Sequence, residues 1–157
     1  MSAHESLVDT LEREHAGFVA LLAGIPAEAQ ERKGVVGAWS VKNVVAHLTA
    51  WELVVLQALP EMLATGKRPE ALVTVAANRD AWNEAEVAEG EPLTAEDQLA
   101  EWEWAHAVLL QFVRDLDEPT LLRAKPFEGW DGTVADYVAH EVADHCRTHR
   151  EAIAAQG

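Results

Sequence analysis

The chain has 157 residues, of which 49% are hydrophobic, and its 12 Lys and Arg against 27 Asp and Glu give a formal net charge of −15. This length and apolar content fit one compact domain over residues 1–157, in which folding removes roughly two thirds of the surface from water. The acidic excess would repel a phosphate backbone, and no apolar run approaches the ~20 residues of a membrane span. We therefore expect neither nucleic-acid binding nor membrane binding.

Cysteine usage and the N-terminal residues bear on the compartment. Cys146 is the single cysteine, so no internal disulfide can form, and we expect a buried, inert thiol. Residues 1–5 lack the basic and apolar blocks of a signal peptide. These features predict a cytoplasmic location.

A first amphipathic helix is predicted over residues 2–24, with an apolar stripe that includes Leu7, Leu11 and Phe18. His15 falls inside this stripe. A hydrogen-bonded core histidine is the commoner outcome for such a residue, and a side chain that points into a pocket is the alternative.

A second helix is predicted to begin after Ser40, whose hydroxyl can accept a hydrogen bond from the backbone N–H of Asn43, and to end within residues 65–69. His47 and Trp51 lie four apart along its buried stripe. Trp51 is therefore predicted to line any pocket that forms beside His47.

The rest of the chain predicts one short helix and two long ones. Residues 70–88 are interpreted as a short insertion, and Thr94 begins a helix whose stripe contains Trp102 and His106. The last helix begins near Thr133. Four long amphipathic helices and no strand-like alternation predict an all-α, antiparallel four-helix bundle with a short extra helix between the second and third main helices.

His145 and His149 lie four apart on the apolar side of the last helix, the spacing at which two imidazoles can share a metal ion. For an isolated pair of this kind, hydrogen-bonded structural histidines are the commoner outcome. His47, on another helix and also turned toward the core, would supply a third nitrogen. Three imidazoles with an open position suit Zn²⁺, Ni²⁺ or Fe²⁺.

Two carboxylates lie near these histidines along the chain. Glu141 precedes His145 by one turn and Glu52 follows His47. We expect them to hold the free ring N–H groups or to accept a proton, although solvated carboxylates on a helix surface are the alternative. His15 and His106 are further candidates for pocket residues.

Residues 39–52, WSVKNVVAHLTAWE, and residues 144–153, DHCRTHREAI, resemble the DinB/YfiT-like superfamily of small metal-binding helical bundles. In element order the resemblance covers nearly the whole chain. It implies a divalent-metal site with one histidine from the second helix and a His-x3-His pair from the last. These positions correspond to His47, His145 and His149.

The resemblance also implies candidate activities. Relatives in this superfamily include transferases and isomerases that use low-molecular-weight thiols, and a branch that protects against genotoxins by hydrolysis. We therefore expect a metal-dependent enzyme that acts on a small electrophilic molecule, with a thiol as a candidate cosubstrate. A non-catalytic metal- or ligand-binding stress-response module and a metal-free bundle are the alternatives, and homodimer formation is compatible with all three.

Overall fold

The computed structural model describes residues 1–156, and among these it contains helices and no strands. The helices are α1 (Ala3–Ala23), α2 (Ala27–Gln30), α3 (Val41–Thr65), α4 (Glu70–Ala77), α5 (Arg79–Gly90), α6 (Ala95–Asp115), α7 (Glu118–Leu121), α8 (Val134–Val138) and α9 (His145–Ala154). A π-helical segment, Ala139–Asp144, joins α8 to α9. Residues 134–154 therefore form one long helix with a widened middle, which we call the C-terminal helix.

α1, α3, α6 and the C-terminal helix pack into the predicted four-helix bundle. α1 and α6 are antiparallel, because His4 near the start of α1 lies 2.8 Å from the carbonyl of Val113 near the end of α6. α3 and the C-terminal helix are antiparallel as well. The Trp51 indole contacts Glu141, whereas His47, which comes earlier in α3, contacts His145, which comes later in the C-terminal helix.

α3 and α6, in contrast, run in the same direction. Lys42 at the start of α3 donates to the carbonyl of Leu93 just before α6, and Glu52 accepts from Trp102 further along both helices. The α4–α5 connection makes this direction reachable because it carries the chain back along the bundle. The bundle thus contains two helices in each direction, with α1 and the C-terminal helix parallel to each other.

The predicted short insertion consists of two helices. α4 ends at Ala77, and α5 begins at Arg79 after Asn78 adopts a non-helical backbone with φ −151° and ψ 57°. The periodicity of Leu72 and Val75 is local to α4, so it did not indicate where the helix breaks. The second half, α5, packs against α3 and becomes part of the site described below.

Side-chain caps fix the starts of the long helices. The Ser40 hydroxyl accepts from the N–H of Asn43, and the Asn43 side chain accepts from the N–H of Ser40, as in a capping box. Thr94 caps α6 as predicted, and Thr133 caps the C-terminal helix. Ser40 is fully buried, so this cap fixes the start of α3 inside the core.

α3 is the central helix of the bundle. Every residue from position 41 to position 50 is buried, which leaves no solvent-facing side over its first turns. Among residues 1–156, no helix is both long and apolar enough to cross a membrane.

Candidate metal centre

Three histidine side chains converge between α3 and the C-terminal helix. His47 Nε2 lies 3.0 Å from His145 Nε2, and His149 Nε2 lies 3.1 Å from the same atom. One nitrogen of each ring lies within 4.8 Å of the other two. The structure therefore brings together the three histidines that were predicted from the sequence as candidate metal ligands.

This spacing suits a shared divalent cation. Two nitrogens that each lie ~2.0–2.1 Å from a tetrahedral metal ion are about 3.3 Å from each other. The distances of 3.0 and 3.1 Å from His145 Nε2 to the other two Nε2 atoms are close to this value. His47 is 6% exposed, and its second ring nitrogen, Nδ1, is buried without a hydrogen-bond partner among the described residues. A hydrogen-bonded network would need a donor for every acceptor among the ring nitrogens. Three imidazoles whose ring nitrogens mainly face one another therefore fit a shared metal ion better than they fit such a network.

Burial also prepares these rings for ligation. It lowers the pKa of His145 to about 3 and that of His47 to about 4, with a further lowering of each from the neighbouring histidines. Burial lowers the pKa of His149 too. All three imidazoles are consequently neutral near pH 7, which is the form that binds metal ions.

The histidines open onto a cavity of about 530 Å³, within the size range of small-molecule sites. We call it the histidine cavity. Its walls come from α3, α5 and the C-terminal helix, and they include Trp39, Trp51, Arg79, Asn83, His140, Glu141, Asp144 and Thr148. A ligand bound to the three rings would therefore have room for a reacting partner beside it.

Glu141 and Trp51, both predicted near the site, lie in the wall of this cavity. The Trp51 indole N–H donates to Glu141 Oε2 at 3.1 Å. Burial raises the pKa of Glu141, opposed by His140, by the hydrogen bond from Trp51 and by two arginines, Arg79 and Arg68. Glu141 is thus a partly buried carboxyl group in the cavity wall, and its hydrogen-bond partner among the described residues is Trp51 and not one of the three histidines.

The π-helical segment Ala139–Asp144 immediately precedes His145. A π turn closes hydrogen bonds one residue further along than an α turn, so it rotates the following side chains relative to those before it. Val134 and Val138 consequently remain in the core while His145 and His149 face the cavity. The even spacing of apolar residues along this helix gave no sign of the widened turn.

The other predicted site residues lie elsewhere. Glu52 is five positions after His47, about 140° further around an α-helix, and it faces α6 instead of the histidine cavity. Its carboxylate accepts from Trp102 Nε1 at 3.2 Å and from His106 Nδ1 at 3.2 Å. The His15 ring stacks on that of His106 with centroids 4.0 Å apart. These residues form a second group, in which Glu52, Trp102 and His106 are buried and His15 is partly buried, and we call it the buried cluster.

Cys146 follows the sequence expectation of a buried thiol, and His140 lies at the edge of the site. The His140 side chain is 59% exposed and pairs with Asp144 at 3.8 Å, although it also lines the rim of the histidine cavity. The Cys146 thiol is buried and donates to the carbonyl of Glu14 at 3.5 Å. Burial raises its pKa to about 12, so it stays protonated and unreactive.

Sequence reasoning missed two kinds of cavity residue. Trp39 precedes α3, and its ring lies 5.1 Å from that of His47. Arg79 and Asn83 come from α5, within the segment interpreted as an insertion. The only available signal was their spacing of four in a stretch otherwise rich in Glu, and that signal does not distinguish a cavity wall from a solvated helix surface.

The match to known proteins agrees with this geometry. The model of the DinB superfamily matches residues 10–153. The chain belongs to the DinB superfamily. No curated protein matches the chain. The matched residues include all three histidines.

Proposed function

We propose that this DinB superfamily protein is a divalent-metal-dependent enzyme that acts on a small electrophilic molecule, by transfer of a thiol or by hydrolysis. The observation that carries the proposal is the convergence of His47, His145 and His149 on an open cavity of about 530 Å³. A site sealed from solvent would instead favour the non-catalytic alternative, and a distant His47 would favour a metal-free bundle.

The three imidazoles would hold the ion through their neutral ring nitrogens. A divalent ion bound there, Zn²⁺, Ni²⁺ or Fe²⁺, lowers the pKa of a bound water or thiol and so provides a nucleophile at neutral pH. With three protein ligands, a four-coordinate ion would keep one position for water or a substrate.

Glu141 is the residue best placed to accept the proton released from that nucleophile. It lies in the wall of the same cavity, and its raised pKa brings it closer to the neutral range in which proton acceptors work well. The indole N–H of Trp51 fixes one of its oxygens at 3.1 Å and leaves the other available. Glu52, held by Trp102 and His106 on the opposite side of α3, has no part in this step.

Metal content tests the first part of the proposal. Protein purified without an affinity tag should contain about one equivalent of metal by elemental analysis, and the His145→Ala/His149→Ala double variant should contain almost none. His140→Ala is the matched control, since it removes an imidazole from the rim of the same cavity. Metal retention in the double variant would contradict the site assignment.

Activity tests the second part. The metal-loaded protein should be screened with small electrophiles in the presence and absence of low-molecular-weight thiols, and any turnover should be measured again with Glu141→Gln. We expect this variant to keep its metal and to lose about 100-fold in rate, the lower range of general-base contributions. Unchanged turnover in Glu141→Gln would assign proton transfer to another group.

A role in stress response, a cytoplasmic location and a homodimer remain predictions. For the homodimer, the place to test is the exposed apolar surface around Trp104, which is 63% exposed beside Leu53 on one side and Phe112 on the other. Trp104→Glu should convert a dimer to a monomer in analytical ultracentrifugation. An unchanged mass would place any dimer interface elsewhere.

A further inference from the structure

A second cavity of about 260 Å³ adjoins the histidine cavity. The two share Trp51, Arg79 and Glu141 as a common wall. The metal-site histidines line only the first cavity, and Arg68 lines only the second. We call the two adjoining cavities together the groove; its lining includes the three histidines in the first cavity, Arg79 in the shared wall and Arg68 in the second cavity.

Aromatic side chains form much of the second cavity. Trp130 and Phe127 each pack edge-on against Tyr137, with ring centroids 5.4 and 5.5 Å away, and Trp51 stands between the two cavities. Rings held in this way offer rigid apolar surface to a ligand. This part of the groove suits an apolar portion of roughly the size of one ring.

The two arginines belong to the minority of basic side chains that form no ion pair within residues 1–156. Most basic side chains pair with a carboxylate within 4.0 Å, namely Arg13, Lys33, Lys42, Arg114, Lys125, Arg147 and Arg150. Within residues 1–156, neither Arg68 nor Arg79 has an ion-pair partner or a hydrogen-bond acceptor. Of the acidic residues in the histidine cavity, Asp144 is already paired with Arg147 at 2.8 Å. Glu141 accepts a hydrogen bond from Trp51, and both arginines act on it at longer range by lowering the pKa of its carboxyl group. Because neither guanidinium group is held by a direct ion pair within residues 1–156, both can bind an anion from outside the protein.

We propose that the groove selects a small molecule that carries both an apolar portion and an anionic group, with Arg79, assisted by Arg68, binding the anion. Guanidinium groups bind carboxylates through paired, charge-assisted hydrogen bonds. This specificity rests on the proposed function, since it assumes that the reacting end of the same molecule lies at the three histidines. The anion can belong to the electrophile or to the thiol, and the chemistry that recognises it is the same.

Binding of matched probes tests the proposal. The affinities of 3-phenylpropionate and 3-phenylpropionamide, which differ in charge and hardly in shape, should be measured by calorimetry on metal-loaded and on chelator-treated protein. We expect the carboxylate to bind about tenfold more tightly in both forms, as a charged hydrogen bond would give. Raising the ionic strength should reduce this preference, because salt screens exposed charges.

Arginine variants assign the preference to the groove. Arg79→Gln should remove most of it and Arg68→Gln a smaller part, while Arg32→Gln, which removes an exposed arginine that lines neither cavity, should leave it intact. 3-Mercaptopropionate, measured in the same way, distinguishes the sources: an Arg79-dependent preference for it over phenylpropionate would assign the anion to the thiol.

The outcomes separate this inference from the metal proposal. Equal affinity for the two phenyl probes, a carboxylate preference that Arg79→Gln retains, or no binding of either probe would overturn the anion site. A preference seen only with metal and unaffected by Arg79→Gln would show the carboxylate bound to the metal instead. Absence of metal from the purified protein would contradict the proposed function, whereas the probe ratio in chelator-treated protein would still decide the anion site.

Discussion

α3 separates two groups of histidines that are similar in burial and different in surroundings. On one side, His47 meets His145 and His149 at the wall of an open cavity, and within residues 1–156 no carboxylate is hydrogen-bonded to any of the three rings. On the other, His106 is hydrogen-bonded to Glu52 and stacked on His15, with Trp102 closing the cluster. The comparison teaches that a buried histidine is a candidate ligand when its ring nitrogens converge with others on accessible space.

The largest expected difference between the groups is in metal affinity. His47→Asn and His106→Asn make the same chemical change at two buried histidines of α3 and α6, which are 6% and 4% exposed. We expect the dissociation constant for Zn²⁺ to rise at least about 100-fold in His47→Asn, because even groups that only orient a metal ligand contribute roughly 10–100-fold.

His106→Asn, whose amide can still donate to Glu52, should bind Zn²⁺ as tightly as the wild type. Competition titration with a chromophoric chelator measures both variants. Equal losses in the two would mean that the buried cluster also takes part in metal binding, and the comparison between the groups would fail.

The next effect is on stability, and here we expect the larger loss from a substitution in the buried cluster. Glu52→Ala leaves the indole N–H of Trp102 and the Nδ1–H of His106 buried without an acceptor. Each unsatisfied group costs about 1–3 kcal/mol, so the free energy of unfolding of the metal-free protein should fall by about 3 kcal/mol in urea denaturation.

Glu84→Ala provides the matched control, since Glu84 also accepts from a tryptophan, Trp39, at 2.9 Å but on the exposed surface. Its loss should change the free energy of unfolding by less than about 0.5 kcal/mol. A similar effect of the two substitutions would show that burial does not strengthen the contribution of the Glu52 contacts.

A third test uses pH, to which both groups contribute. Burial lowers the pKa of His15 and His145 to about 3 and that of His47 to about 4, whereas an unfolded histidine titrates near pH 6.5. As the pH falls below about 6.5, these histidines bind protons in the unfolded chain but stay neutral in the folded chain. The free energy of unfolding of the metal-free protein therefore falls. Above about pH 7.5 these groups contribute no pH dependence.

Differential scanning calorimetry between pH 7.5 and about 4.5 measures this loss as a fall in Tm. The His145→Ala/His149→Ala variant should show a shallower fall than wild type, and so should His15→Ala, because each removes groups with a lowered pKa. A slope unchanged in both variants would mean that carboxylates and not histidines govern the acid sensitivity.

The smallest effect concerns the cap at the start of α3. Ser40→Ala removes the hydroxyl that accepts from the N–H of Asn43 at the start of α3, and it should lower the free energy of unfolding by about 1 kcal/mol. Zinc affinity should stay within twofold of wild type, as about 24 residues of helix remain to hold His47. A large loss of zinc affinity would indicate that the cap also fixes the rotation of α3 in the bundle.

Periodicity and capping residues in the sequence were sufficient to predict the four long helices, their starts at Ser40 and Thr94, and the three candidate ligands. Periodicity failed where the chain departs from a regular helix. It did not separate α4 from α5 at Asn78, and it did not indicate the π-helical segment before His145. Both are irregularities of the backbone, and neither a proline nor a glycine marks either of them in the sequence.

The sequence by itself determined an acidic all-helical chain and the pair of histidines four apart in the C-terminal helix, because spacing within one helix is a local property. Only the tertiary structure decided that His47 joins this pair while Glu52 turns toward His106, and that α5 supplies Arg79 to the cavity wall. Which faces of two helices meet depends on how side chains pack across the whole bundle, and no segment of the sequence contains that information on its own.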